Sequence, residues 1–178
     1  MNTPDFLPLI GTDHIEFYVG NAKQSAHYYQ TAFGYTLVAY AGPETGVREK
    51  ASYVLQQGKI RLVLTTALHP EHPVSEHVKL HGDGVKILAL EVADATQSFF
   101  ETVNRGAKPA FEPETHTDEF GSVTISGIHT YGETIHLFVE RKNYKGAFLP
   151  GYKARSSSIK GNEGVGLLHV DHCVGNVG

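Results

Sequence analysis

The chain lacks what several classes of protein require. It has a single cysteine in 178 residues, which excludes an internal disulfide framework. Its formal net charge of -4 gives no support for a nucleic-acid surface or a polybasic membrane patch. No apolar run approaches the roughly 18 residues of a membrane span, and the start, MNTPDFLPLIG, lacks the basic stretch of a signal peptide. These absences predict a soluble, cytoplasmic protein without a nucleic-acid or membrane partner.

What the sequence does contain begins with a short, regular series of elements. Residues 13–19 alternate apolar and polar side chains, the pattern of a strand that is covered on one face. Asn21 then offers an N-cap for a helix, and Gly34 stands where such a helix would end. Three extended stretches follow, YTLVAYAG, ASYVLQQG and KIRLVLTT. The order predicted is β-α-β-β-β.

The same order recurs further along the chain. NAKQS at 21–25 aligns with DATQS at 94–98, an offset of 73 residues. GVKILALEV reads as a strand, Asp94 caps a helix that closes near Gly106, and strands follow around KPAFEP, GSVTISGI and TIHLFVE. A single unit of this size cannot bury its own sheet face. The sequence therefore predicts an α+β fold in which two βαβββ modules pack side by side.

The repeats and two polar connecting stretches set the expected boundaries. One domain is predicted at residues 8–142, with modules at about 10–68 and 84–141. Residues 143–164 are predicted to be an interdomain linker. Residues 165–178 include GLLHVDHCVGNVG, which repeats the first-strand pattern of IGTDHIEFYVGNA. They predict the first strand of a truncated C-terminal domain, and hence that the chain is part of a longer protein.

The stretch between the modules, HPEHPVSEHVKLH at 69–81, is predicted to be a loop because it is polar and contains two prolines. It carries four histidines, which raises the possibility of a zinc site. Pro70 and Pro73 interrupt the stretch, so its spacing does not match a helix with histidines at i and i+4. These side chains are interpreted as solvated loop histidines: His69, His72, His77 and His81.

Several motifs in a fixed order resemble a known family. Paired βαβββ units are typical of the vicinal-oxygen-chelate superfamily, which includes glyoxalases. TDHIEFYVGNAKQSAHYYQTAFGY, HGDGVKILALEV, RGAKPAFEP, TYGETIHLFVER and FLPGY together resemble the N-terminal half of the 4-hydroxyphenylpyruvate dioxygenases. HVDHCVGNV near the end resembles the start of that family's catalytic half.

The resemblance implies an oxidoreductase of tyrosine and phenylalanine catabolism. Such an enzyme is a non-haem Fe(II) dioxygenase that converts 4-hydroxyphenylpyruvate and O2 to homogentisate and CO2, and it is generally a homo-oligomer. Its iron ligands are two histidines and one glutamate in the C-terminal half. Only the first matches a position here, His172. The resemblance assigns no catalytic residue to this chain, so the chain alone is expected to be inactive. Cys173 and His169 are expected to point away from the ligand face and to be structural.

The repeat also predicts the positions of a second metal site in the first domain. In this superfamily, ligands lie on the first and last strands of paired units. On the first strands the offset of 73 relates His14 to Ile87, and on the last strands the alignment of RLVLT with HLFVE relates Thr65 to Glu140. Ile87 cannot ligate and Thr65 is a poor donor. The quartet is therefore interpreted as a degenerate site that does not hold a metal tightly.

Three readings of function remain open from the sequence. The first is the dioxygenase itself, and its nearest rival is 4-hydroxymandelate synthase, which shares substrate, iron and fold. The second treats the first domain as a scaffold without chemistry of its own. The third is a metal-free small-ligand-binding module of the bleomycin-resistance type, which an open apolar cup would favour.

Overall fold

The computed structural model of the chain describes residues 5–156, 159 and 164–176. The elements are β1 Leu9–Tyr18, α1 Ala22–Phe33, β2 Thr36–Ala41, β3 Lys50–Gln57, β4 Ile60–Ala67, α2 Pro73–His81, β5 Gly84–Val92, α3 Ala95–Asn104, β6 Lys108–Asp118, β7 Gly121–His129, β8 Ile135–Glu140 and β9 Lys153–Ala154. The predicted α+β class and both βαβββ modules are confirmed. No helix in the described part of the chain is long and apolar enough to cross a membrane.

The strands form one mixed sheet in the order β6-β7-β8-β5-β1-β4-β3-β2-β9. Each module contributes four strands in which the first pairs in parallel with the last, β1 with β4 and β5 with β8. The two first strands, β1 and β5, pair antiparallel at the centre and join the modules. Neither module thus keeps a free edge at its first strand, since each protects the edge of the other.

The helices begin where the capping signals predict. The Asn21 side chain accepts a hydrogen bond of 3.0 Å from the Gln24 amide, and Asp94 accepts one of 2.8 Å from Gln97. Gly34 ends α1 with a φ of 72°, a left-handed conformation that suits glycine. The same local chemistry starts the equivalent helix in both modules.

The prediction of a loop over 69–81 is wrong in its second half. Pro73 is the first residue of α2, where its missing amide hydrogen costs nothing and its fixed φ favours a helix. His72 is the N-cap, and its Nδ1 accepts a hydrogen bond of 3.1 Å from the Val74 amide. Pro73, which was predicted to interrupt a helix, is therefore the residue at which α2 begins.

The sheet has two faces with separate cores. On the outer face, α1 packs on Ile15, Leu62 and Leu64, and α3 packs on Val92 and Phe138. Two further clusters lie on the opposite, inner face. One is centred on Val54 and Val63 in the first module, and the other on Ala89 and Val139 in the second. The alternation predicted for β1 is confirmed, with Ile15 in the outer core and His14 on the inner face.

Residues 144–152, which fall within the predicted linker, cover the inner face of the sheet. Phe148 is only 3% exposed, and Leu149 packs against both inner clusters. β9 follows and pairs antiparallel with the edge strand β2. We call residues 144–152 the inner segment. It is packed into the first domain, whereas a linker would be solvated.

Residues 164–176 form no strand in the described part of the chain. The main chain of this stretch lies beside the first module, where the Lys59 amide donates to the Leu168 carbonyl at 2.7 Å. A strand needs a neighbour for its ladder, and none of the described strands pairs with this stretch. That residues 165–178 supply the first strand of a C-terminal domain stays a prediction. Cys173, expected in a core, is exposed.

Candidate functional site

The inner face of the first module carries a buried polar network. The Thr65 hydroxyl donates to the Glu16 carboxylate at 2.6 Å, and the Ser52 and Thr65 hydroxyls lie 2.8 Å apart. Tyr152 of the inner segment closes the network above Ser52, and burial, followed by the nearby Glu16 charge, raises the pKa of its phenol. Tyr152 is therefore a neutral group at every physiological pH. Both hydrogen bonds of the Thr65 hydroxyl in this network are made within the protein.

Beside it, a buried ion pair links the two modules. Asp13 of β1 receives hydrogen bonds from Arg141, which follows β8, at 2.5 Å and 2.8 Å. Arg141 also donates to the Phe148 carbonyl oxygen, so it fixes the inner segment as well. Burial alone would raise the pKa of Asp13, but hydrogen bonds and charges from Arg141 and His14 hold it well below its ordinary value.

His14 is held within this ion-pair cluster. Its Nδ1 lies 2.6 Å from an Asp13 carboxylate oxygen, and its ring meets the edge of the Phe148 ring at a centroid distance of 5.0 Å. His14 is almost completely buried. Its neighbours include a carboxylate already shared with Arg141 and an apolar ring.

Strand register corrects the alignment that placed Glu140 in the quartet. Tyr18 pairs with Thr65 across β1 and β4. The equivalent pair across β5 and β8 is Glu91 with Val139. The repeat offset thus grows from 73 at the first strands to 74 at the last. Val139, and not Glu140, is the counterpart of Thr65, and a one-residue difference places a side chain on the opposite face of a sheet.

Glu140 accordingly faces the outer side. It accepts a hydrogen bond of 2.9 Å from the Ala95 amide, at the start of α3, and lies 2.6 Å from the Lys142 ammonium. A carboxylate there satisfies a free amide of the helix start and complements its dipole. The role of Glu140 is to position α3.

The quartet therefore does not converge. His14 and Thr65 are engaged in separate networks, Ile87 packs in the inner apolar cluster, and Glu140 lies across the sheet. The inner face is also filled by Phe148, Leu149 and Tyr152, so among the described residues this face does not form the open cup that a small-ligand-binding module needs. A pocket of about 150 Å³ remains beside Leu149 and Tyr152.

His172 lies outside this domain core. Its side chain is 72% exposed, and its Nδ1 lies 2.5 Å from the Asp171 carboxylate. This repeats the Asp13–His14 pairing, with the difference that the second pair is solvated. A carboxylate on Nδ1 directs Nε2 outward, and metal-binding histidines commonly have such a partner. The imidazole therefore suits a ferrous ion, although the described residues bring no second ligand to it.

Three features of this region were missed in the sequence. Asp13, Arg141 and Phe148 are separated by more than 120 residues at the widest, and no local pattern connects them. The repeated Asp-His dipeptide was a usable signal for Asp13, because a carboxylate beside a histidine appears at both first-strand positions. Nothing local marks Arg141 as the partner.

The sequence is similar to proteins named 4-hydroxyphenylpyruvate dioxygenase along nearly its whole length. It is 42% identical to 4-hydroxyphenylpyruvate dioxygenase of Aspergillus fumigatus over 93% of this chain and 46% of that protein. The identity is 44% with the enzyme of Dictyostelium discoideum, over 93% and 47%, and 43% with that of Caenorhabditis briggsae, over 97% and 45%. The chain spans less than half the length of these relatives.

Solved structures share the fold. A mutant of 4-hydroxymandelate synthase from Streptomyces coelicolor matches with a TM-score of 0.74 and 27% identity, over 89% of this chain and 45% of that one. Methylmalonyl-CoA epimerase from Mycobacterium tuberculosis matches with a TM-score of 0.62 and 18% identity, over 79% and 92%. The second likeness is one of fold alone, and both agree with paired βαβββ modules.

A family model settles membership. The model described as hydroxyphenylpyruvate dioxygenase, HPPD, N-terminal, matches residues 5–150, which include both modules and the inner segment as far as Pro150. Together with relatives above 40% identity, this match means that the chain belongs to the hydroxyphenylpyruvate dioxygenase family.

Proposed function

We propose that this chain is the N-terminal, scaffolding part of a 4-hydroxyphenylpyruvate dioxygenase. The observation that carries the proposal is the family match over residues 5–150. The reaction is the conversion of 4-hydroxyphenylpyruvate and O2 to homogentisate and CO2. The filled inner face supports the scaffold role, because its polar groups are consumed by Arg141, Ser52 and Tyr152.

In this proposal residues 143–164 connect the scaffold to a C-terminal catalytic domain, with the inner segment at their start packed on the scaffold. Residues 165–178 supply the first strand of the catalytic domain. His172 is one of the ferrous ion's ligands, with Nε2 as the ligand atom because Asp171 occupies Nδ1. Bound Fe(II) would supply open positions at which a 2-oxo acid and O2 meet. Asp171 would orient the imidazole and raise its basicity. The rest of the ligand set is not drawn from the described residues.

The test uses the full-length protein that contains this chain. His172→Ala is expected to lose stoichiometric iron and homogentisate formation together, since imidazole is replaced by a methyl group. His169→Ala is the matched control, being an exposed histidine three residues away, and it should keep both. Iron is measured by elemental analysis and product by chromatography. A His172→Ala protein with normal iron content and turnover would contradict the assignment.

A second candidate is 4-hydroxymandelate synthase, favoured by the match to that enzyme's structure. The identity to dioxygenases is higher, at 42–44% against 27%. Product analysis decides between them, because the synthase forms 4-hydroxymandelate and the dioxygenase forms homogentisate. We also infer that the full-length protein is a cytoplasmic homo-oligomer. Sedimentation of the full-length protein would check its oligomeric state.

A further inference from the structure

Two histidines and a glutamate come together at the junction between α2 and the turn that precedes β8. Among the described residues, His77, His81 and Glu133 form the one group of three potential ligands whose donor atoms all lie within 4.8 Å of one another. His77 and His81 are one helical turn apart on α2, so both point to the same side. α2 lies between the modules, and Glu133 belongs to the second module.

The distances suit a shared cation. His81 Nε2 lies 3.0 Å and His77 Nδ1 lies 3.5 Å from the same Glu133 oxygen, Oε2. Ligand atoms at about 2.0–2.1 Å from a tetrahedral zinc are roughly 3.3 Å apart. The two distances to Glu133 bracket that value, and the donor atoms of all three residues lie within 4.8 Å of one another.

His77 provides an independent indication of a ligand. Its side chain is only 10% exposed, and its buried Nδ1 has no hydrogen-bond partner. The contact of 3.5 Å to Glu133 is too long to satisfy that atom. A buried, unpaired ring nitrogen is uncommon and calls for an explanation. The His77 ring is held in place by an edge contact with Tyr18 at 5.4 Å.

Glu133 supplies the carboxylate of the group, and zinc accepts carboxylate oxygens beside imidazole nitrogens. One positive group opposes binding, the Lys86 ammonium. It donates to the Glu133 carbonyl oxygen at 2.5 Å and so also holds the turn in place.

We propose that His77, His81 and Glu133 form a binding site for a borderline divalent cation of the zinc class, with water at the remaining position. Two imidazoles and one carboxylate suit Zn²⁺ and exclude Mg²⁺ or Ca²⁺, which prefer oxygen ligands. The ion would cross-link α2, which lies between the modules, to the turn before β8 in the second module. The site is separate from His172 and does not depend on the proposed dioxygenase activity.

The test is zinc binding to the 178-residue chain, by competition with a chromophoric chelator near pH 7. The unaltered chain is expected to bind one Zn²⁺ per chain with a raised melting temperature, which Mg²⁺ does not reproduce. His81→Ala and Glu133→Gln should each lower the affinity by about 100-fold or more, because loss of even a supporting group costs about 10–100-fold. Both positions are exposed, so these variants should fold.

Two control variants make the result specific. His116→Ala removes an exposed histidine that also lies beside a glutamate, Glu114, at 3.5 Å but without a third ligand. His172→Ala removes the proposed iron ligand. Both should bind Zn²⁺ as the unaltered chain does. Absence of binding in the unaltered chain, or binding that survives both His81→Ala and Glu133→Gln, would overturn the proposal. So would loss of binding in His172→Ala alone.

Discussion

At the scale of single residues, Asp13 has the most demanding environment in the domain. Its carboxylate is buried and accepts two hydrogen bonds from Arg141, itself only 14% exposed, while Arg61 lies at 3.5 Å. An ion pair of this kind costs desolvation when it forms, and removing one partner leaves the other buried and unpaired. Removing the charge of Asp13 should therefore lower the free energy of unfolding by more than the net contribution of the pair.

We expect Asp13→Asn to lower the free energy of unfolding by about 3–5 kcal/mol, because the Arg141 guanidinium loses its counter-charge. Urea unfolding measures the change. Glu101→Gln is the matched control, since it removes the carboxylate of an exposed Arg105 pair at 2.8 Å and should cost at most about 1 kcal/mol. Equal effects of the two substitutions would contradict the argument.

The same two variants should differ in their dependence on pH. The pKa of Asp13 in the folded chain lies below its ordinary value of 3.8, so the folded state binds this proton less readily than the unfolded state. The stability from the ionised carboxylate is thus fully present above pH 3.8 and is lost as the pH falls below it. Asp13→Asn should lack that part of the acid-induced loss, whereas Glu101→Gln should retain it.

At the scale of elements, the inner segment covers a face of the sheet that would otherwise be open. Phe148 packs on the Ala39, Val54 and Val63 cluster and contacts the rings of His14 and Tyr152. Arg141 holds its carbonyl oxygen. The segment therefore combines apolar burial with a fixed main chain, and all but its last two residues lie within the family match over residues 5–150.

We expect Phe148→Ala to destabilise the domain by about 3–5 kcal/mol, the range for truncating a buried aromatic side chain. It should also increase hydrogen exchange in β9, which follows the segment and pairs with β2. Phe120→Ala is the control, since Phe120 is 45% exposed at the β6–β7 turn. A loss below about 1 kcal/mol for Phe148→Ala would mean that the segment is not part of the core.

At the scale of the whole molecule, the pairing of β1 with β5 makes two modules into one domain. These strands lie at the centre of the sheet, and the Asp13–Arg141 pair crosses the same boundary on the inner face. Separating the modules would expose two central edges and one buried charge pair. The modules should therefore unfold together.

Leu64 lies in the outer core of the first module. We expect Leu64→Ala to weaken the protection of backbone amides against hydrogen exchange in the second module as well as in the first. Leu64 is fully buried, so the loss should be about 2–5 kcal/mol. Hydrogen exchange of β8 amides should report the same loss, provided that they exchange through global unfolding. Unchanged protection of β8 alongside weakened protection of β4 would show that the modules open independently.

The element order, the helix starts and the fold class could be predicted because each rests on local chemistry. Strand alternation and the Asn21 and Asp94 caps act within a few residues. The second half of the predicted loop failed for a reason that was also local, because Pro73 suits the first turn of a helix as well as it breaks a helix interior.

The sequence by itself determined two βαβββ modules, their equivalence and the family to which they belong, since periodicity, caps and motif order are written along the chain. Only the tertiary structure decided which side chains meet. The one-residue increase in the repeat offset turns Glu140 to the outer face. The inner segment covers the inner face of the sheet, and α2 brings two histidines to a glutamate of the second module. Each outcome depends on register and packing between residues far apart in sequence, which local patterns do not encode.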